Sequence, residues 1–183
     1  MRRTPELEAD LAAFAAELTR WGARMNLVGS TEPAALERHF EDSLAGAEAL
    51  PDSARVVDLG SGAGFPGIPI ALARRDVRLT LVEVREKRLA FLRHAIRELR
   101  LEVEVRAASI DAPPEELFDF ALLRAVAPPE RSLGIGAPWV GPLGEIWIWA
   151  GPGVDLAGAR HLPMASGGNI LRIRAADISR GTS

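Results

Sequence analysis

Apolar residues in the first fifty positions recur at helical spacing. Leu7, Leu11, Phe14, Leu18 and Trp21 fall at three- and four-residue steps, which puts them on one face of a helix. Thr4-Pro5 provides its start, an N-cap followed by proline at the first helical position, and Gly22 its end. Asn26 to Ser30 reads as a loop. Thr31-Glu32-Pro33 then opens a second helix with Leu36, Phe40, Leu44 and Ala47 in one stripe, closed by Pro51-Asp52-Ser53.

From residue 54 the period changes. Arg55 to Leu59 and Arg78 to Glu83 are short β-branched and apolar runs, with a helix predicted between them over Pro66 to Arg74. Strand, helix and strand at this spacing imply a parallel pair. Glu86 to Leu101 reads as a helix with Leu89, Leu92, Ile96 and Leu99 on one face. Val103 to Arg106, Asp119 to Leu123 and Glu145 to Trp149 are further strands, and Asn169 to Arg174 a final edge strand with Arg172 and Arg174 opposite Leu171 and Ile173. Trp147 and Trp149, two residues apart, share a sheet face and are assigned to the core. The pattern predicts an α/β fold: a doubly wound, mostly parallel sheet with an N-terminal helical extension. Residues 1-52 form that extension, packed on a core of residues 53-183, in a single structural domain.

Composition narrows the chemistry. With 183 residues, 48% apolar and 26% charged, the chain can bury one core without covalent staples. It has no Cys, and His39, His94 and His161 are well apart, which excludes thiol nucleophiles and Cys-based zinc sites and leaves no ligand cluster for a transition metal. The longest uncharged run, between Asp58 and Arg74, is broken by Gly and Pro and is too short to span a bilayer. The N-terminus leads into acidic residues and not an apolar signal region, so a cytoplasmic protein with no membrane partner is expected. A formal net charge of -3 lacks the global basic footprint of nucleic-acid binders. The charge is uneven, however: nine Arg and one Lys stand against six acids over residues 72 to 106.

The sharpest feature is Asp58-Leu-Gly60-Ser-Gly62-Ala-Gly64-Phe65-Pro-Gly67, between a predicted strand and a predicted helix. Glycines allow positive φ and close backbone approach, and the helix start offers free N–H groups. Glu83, at the end of the next strand, is suited to ribose hydroxyls. The loop fits a dinucleotide or S-adenosylmethionine. Asp58 favours the second, because a carboxylate there would repel a pyrophosphate and receive a cationic amino-acid end. A capping role for Asp58 is the alternative. A phosphate-binding loop of the Gly-Lys-Ser/Thr kind is excluded, since no such sequence follows.

The sequence resembles the small-subunit ribosomal RNA guanine-N7 methyltransferases, also called the glucose-inhibited division protein B family. The resemblance rests on Asn26-Leu-Val, Arg38-His-Phe-Glu-Asp-Ser43, Asp58 through Pro69 with its Gly-Phe-Pro-Gly-Ile-Pro extension, and Glu86-Lys-Arg-Leu-Ala-Phe-Leu-Arg93, in register over roughly residues 15 to 125. It implies a class I, Rossmann-like S-adenosylmethionine-dependent methyltransferase acting on guanine N7 of 16S ribosomal RNA, free or in the small subunit, working as a monomer. It also implies that Asp58, Gly60, Gly62, Gly64, Phe65, Glu83, Ile110, Asp111 and Arg124 bind the cofactor, and that Arg124, Asn26 and His39 position the substrate. For Asn26 a loop cap, and for His39 a structural histidine, are the alternatives. Arg85, Arg88 and Arg93 are candidates for RNA backbone contact or a solvated helix face. No metal and no general base are required, because guanine N7 carries a free lone pair.

The chain departs from the family pattern at Ala150, where Lys is usual, and at Asn169, where Arg is usual. The stretch between Gly151 and Leu162 is short, as if part of a helix and one strand were missing. These departures keep open a diverged methyltransferase with another substrate and a non-catalytic S-adenosylmethionine-binding module. A dinucleotide oxidoreductase is opposed by Asp58.

Overall fold

The computed structural model describes residues 2–22, 25 and 27–178. The chain runs α1 (Pro5–Gly22), α2 (Pro33–Ala49), β1 (Arg55–Leu59), α3 (Gly67–Ala73), β2 (Arg78–Glu83), α4 (Glu86–Glu98), β3 (Glu104–Ala107), β4 (Phe118–Arg124), α5 (Pro129–Gly136), a short 3-10 turn, β5 (Val140–Ala150), β6 (Arg160–Pro163), β7 (Asn169–Arg174) and α6 (Ala175–Ile178).

Local chemistry explains most boundaries. The Thr4 hydroxyl accepts from Leu7 N (3.2 Å), capping α1, and acids occupy its first turn with Arg20 in its last, in accord with the helix dipole. Helix α4 ends at Glu98, three residues before the periodicity suggests. Arg100 turns into the left-handed region (φ 52°), and Leu101 N reaches back to Ile96 O (3.0 Å), which terminates the helix despite the apolar spacing of Leu99 and Leu101.

The seven strands form one sheet in the order β3-β2-β1-β4-β5-β7-β6. Strands β1 to β5 pair in parallel, while β7 runs antiparallel to both β5 and β6. Two expectations are corrected here. Asn169–Arg174 has the predicted bounds but lies inside the sheet, and the strand expected to be missing is present as the edge strand β6; its mixed sequence, Arg-His-Leu-Pro, gives no apolar run. Strand β5 also begins five residues before its predicted start, because Gly141, Pro142 and Gly144 conceal a strand that shifts register against β4.

Apolar residues fill both faces of the sheet, as expected for mostly parallel strands. On one face, Val56, Leu79, Leu81, Leu122, Trp147, Trp149 and Ile170 meet α1 to α4; on the other, Val57, Leu59, Leu123, Ile146, Ile148 and Leu171 meet α5 and Trp139. Helix α5 escapes prediction since it contains two glycines and buries only Ser132 and Gly136. Gly136 is needed there, because a Cβ would lie 2.8 Å from Ile146. Gly46 similarly lets α2 lie on β5, where a Cβ would come within 2.6 Å of Trp149. Phe14 of α1 packs on Phe40 of α2, Phe91 of α4 and Phe65, which draws the helical extension onto the glycine-rich loop.

Candidate functional site

The order of strands reverses between β1, whose partner β2 follows it in sequence, and β4 on its other side. In open α/β sheets the crevice beyond such a switch point is where ligands bind. The glycine loop leaves β1 there. Gly60 (φ 71°), Gly62 (φ 56°) and Gly64 (φ 87°) all take left-handed backbone, which is why side chains are absent at these turns; at Gly60 a Cβ would also approach Val126 to 3.1 Å. Gly60 N and Ser61 N both donate to Val82 O, at 2.9 and 3.0 Å, fixing the loop to the end of β2.

Glu83 ties the same two elements from the side-chain direction. Its carboxylate accepts from Gly62 N (3.2 Å), Val84 N (2.8 Å) and Arg85 N (2.9 Å), and Arg88 lies 3.5 Å away. Three of about four acceptor positions are occupied by backbone N–H groups, and Arg88 approaches the fourth. Arg88 is thereby engaged at the loop, while Arg85 and Arg93 face solvent.

Asp58 is 1% exposed, with Oδ2 accepting from Gly67 N at the start of α3 (3.1 Å) and Oδ1 without a partner among the described residues. Burial pushes its carboxyl up to about 7, against the Gly67 N–H, the Ser61 interaction and the Arg124 charge, which pull it down. A buried carboxyl with an unsatisfied oxygen at the base of a glycine loop suits a cationic group. The donor set therefore fits S-adenosylmethionine: an acid for its charged end, an acid for its ribose and a backbone cradle free of side chains.

Arg124 ends β4 and faces α2. Its guanidinium donates to His39 Nδ1 (2.6 Å) and to Asp42 Oδ2 (3.4 Å) and sits 5.8 Å from the Phe65 ring centre. Since a guanidinium has no acceptor, His39 Nδ1 must accept and the ring proton resides on Nε2. Burial, reinforced by the Arg124 charge, holds His39 below its ordinary pKa, which keeps the ring neutral. Burial likewise lowers Arg124, opposed by Asp42 and Asp58. Asp42 is 3% exposed; its Oδ1 accepts from Ser166 N (3.2 Å) and its carbonyl from Trp149 Nε1 (3.0 Å).

Of the residues singled out in the sequence, Asp58, Gly60, Gly62, Gly64, Phe65 and Glu83 gather around the ends of β1 and β2, and Phe65 contacts His39 and Arg124, which line the neighbouring cavity. The Phe65 ring is mostly buried among Phe14, Phe40 and His39, so it joins the loop to the helices. Ile110 and Asp111 form a turn after β3, with Ile110 O accepting from Trp139 Nε1 (2.8 Å) and Asp111 exposed. Asn26 lies outside the described residues. Asp42, Trp149 and Ser166 were not singled out as site residues, although Asp42 stands inside the Arg38–Ser43 motif. They line a cavity of about 500 Å³ with Arg38, His39 and Arg124. Ala150 and Asn169 are cross-strand partners beside it.

Known proteins resemble this chain in sequence and in fold. The family described as GidB, rRNA small subunit methyltransferase G, matches residues 7–153. A Ribosomal RNA small subunit methyltransferase G from Hyphomonas neptunium is 36% identical over 176 residues, covering 87% of this chain and 83% of that protein. Among solved structures, a SAM-dependent methyltransferase from Aquifex aeolicus superposes with TM-score 0.60 at 15% identity, covering 87% of this chain and 98% of the other. The T. thermophilus 16S rRNA N2 G1207 methyltransferase, solved with AdoMet and guanosine, superposes with TM-score 0.57 at 18% identity, covering 80% and 44%. The fold is the Rossmann-like fold of class I methyltransferases.

Proposed function

The chain belongs to the rRNA small subunit methyltransferase G family, and from that premise we propose that it transfers a methyl group from S-adenosylmethionine to N7 of a guanine in small-subunit ribosomal RNA. The observation that carries the reading is the placement of the Asp58 to Gly64 loop, Glu83 and Arg124 at the switch point, beside a mostly apolar cavity of about 500 Å³ into which Arg38, His39, Asp42 and Arg124 bring polar groups.

When bound, the cofactor supplies an electrophilic methyl on a sulfonium. Asp58 and the glycine loop would hold its charged end, Glu83 its ribose, and the Ile110–Asp111 turn would flank its adenine. Guanine N7 is already an unprotonated nucleophile, so the protein's task is alignment at near-attack distance and not proton removal. A neutral His39 whose Nδ1 is occupied by Arg124 is consistent with that. Arg124 and His39 border the substrate, and Asn26, from the family motif, is a third candidate for positioning it. The exposed Arg38, Arg85 and Arg93 offer contacts to phosphates. In this reading the helical extension of residues 1-52 is part of the catalytic body. The protein acts as a cytoplasmic monomer on ribosomal RNA or the small subunit, and no described helix is long and apolar enough to cross a membrane.

A second reading, a diverged methyltransferase with another substrate, is favoured by one observation. Ala150 and Asn169 face each other across β5 and β7, so both positions where the family pattern has a basic residue present none. One experiment separates the two. Mapping of N7-methylguanosine in ribosomal RNA from cells with and without this gene should show one modification lost in the deletion. Identical maps, with cofactor binding by calorimetry retained, would transfer support to the second reading.

A further inference from the structure

We propose that Asp42 selects guanine, its carboxylate receiving N1–H and the N2 amino group of an unstacked base held in the cavity between α2 and the ends of β4 and β5. The inference rests on the methyltransferase reading above and adds the means by which that site chooses its base.

The cavity, about 500 Å³, lies within the range of small-ligand pockets, roughly 300–1,000 Å³. Its polar groups come in a particular order. Asp42 contributes an acceptor that is almost wholly withdrawn from water, with one oxygen tied to Ser166 N and the other at a long 3.4 Å from Arg124. These two partners leave about half of its acceptor capacity open. Next to it stand two donors, the Arg124 guanidinium and the Nε2–H that His39 must carry once Nδ1 accepts from Arg124. An extruded base is commonly read along its Watson–Crick edge. Among the four RNA bases, only guanine places two adjacent donors, N1–H and N2–H₂, beside an acceptor, O6. Adenine and cytosine would turn an amino group toward the donors, and uracil has a single donor between two acceptors.

The same order accounts for the atom methylated. Around the rim of guanine the sequence is N2, N1, O6, N7. In the protein Arg124 touches Asp42 inside the cavity on one side and, on the other, Phe65 at the end of the glycine loop, outside the cavity lining. With N1 and N2 at Asp42 and O6 at Arg124, N7 comes next and turns toward the loop. A base held by its amino edge at Asp42 cannot present N2 for transfer.

The test uses the full-length protein, labelled S-adenosylmethionine and a small-subunit RNA segment carrying guanosine or inosine at the mapped target; inosine lacks only the N2 amino group. Wild type should prefer guanosine by about tenfold or more in kcat/KM, the scale set by leaving a buried acceptor unpaired. Asp42→Asn, nearly isosteric, should lose about tenfold or more on guanosine and bring the guanosine-to-inosine ratio close to one, in a protein that still folds cooperatively and still binds S-adenosylmethionine by calorimetry. Equal use of both substrates by wild type, which requires no variant to fold, would overturn the assignment. So would an Asp42→Asn protein that keeps the wild-type ratio. Wild type that labels neither RNA would overturn the methyltransferase reading, and the base pocket with it.

Discussion

Asp58 is the residue whose environment conflicts most with its chemistry. Burial raises its carboxyl to about 7, so between roughly pH 4 and pH 7 the folded protein keeps a proton that the unfolded chain releases. The folded state then binds more protons, and stability falls as pH rises through that window, by on the order of 4 kcal/mol in total, levelling above it. Asp58→Asn should abolish this decline. Urea unfolding of both proteins at closely spaced pH values measures it, and parallel curves would show that Asp58 ionises freely. The motif of glycines and acids made Asp58, Gly60 and Glu83 visible as a set in the sequence, because spacing along a strand–loop–helix unit is local information. Asp42 and Ser166 could not be found that way. They are 124 positions apart and become one feature only when the turn before β7 reaches α2.

At the scale of elements, the helical extension is fastened to the sheet by a side chain that no periodicity reveals. Arg74, just beyond α3, donates to Ala47 O (3.0 Å), Leu50 O (2.7 Å) and Pro51 O (3.1 Å) at the end of α2, and pairs with Asp52 and Asp76. The hydrogen bonds from Arg74 hold the Asp76 carboxyl well below the usual carboxylate range. Removing Arg74 strips a helix C-terminus of its partners. Arg74→Ala should cost about 1–3 kcal/mol, read as a lower denaturant midpoint with an unchanged m-value. A midpoint within error of wild type would mean that water replaces the guanidinium without loss. Gly46 is the complementary device on the other side of α2, where absence of a side chain sets the distance to Trp149. The helices themselves were legible from their stripes; the side chains that set their spacing were not, since each acts on a partner distant in sequence.

For the whole molecule, net charge limits how the substrate is held. With a formal charge of -3 the chain draws little on long-range attraction to RNA, so in the proposed function phosphate contacts fall to exposed arginines such as Arg38 on α2 and Arg93 on α4. Affinity for small-subunit RNA should accordingly depend weakly on salt, falling less than about a hundredfold between 50 and 200 mM in a titration by fluorescence anisotropy, corresponding to contact with about three phosphates. A fall of a thousandfold or more would reveal a larger phosphate-binding surface than the charge implies. The sequence alone determined the α/β alternation, the parallel pair around the glycine loop and the family motifs, because hydrophobic period and turn chemistry operate within a few tens of residues. Tertiary structure alone decided that Asn169–Arg174 is interior, that a mixed-polarity segment completes the sheet edge, and that His39, Asp42 and Arg124 meet. Those outcomes depend on which strands lie side by side, and strand order is set by packing across the whole core and not by any local stretch of chain.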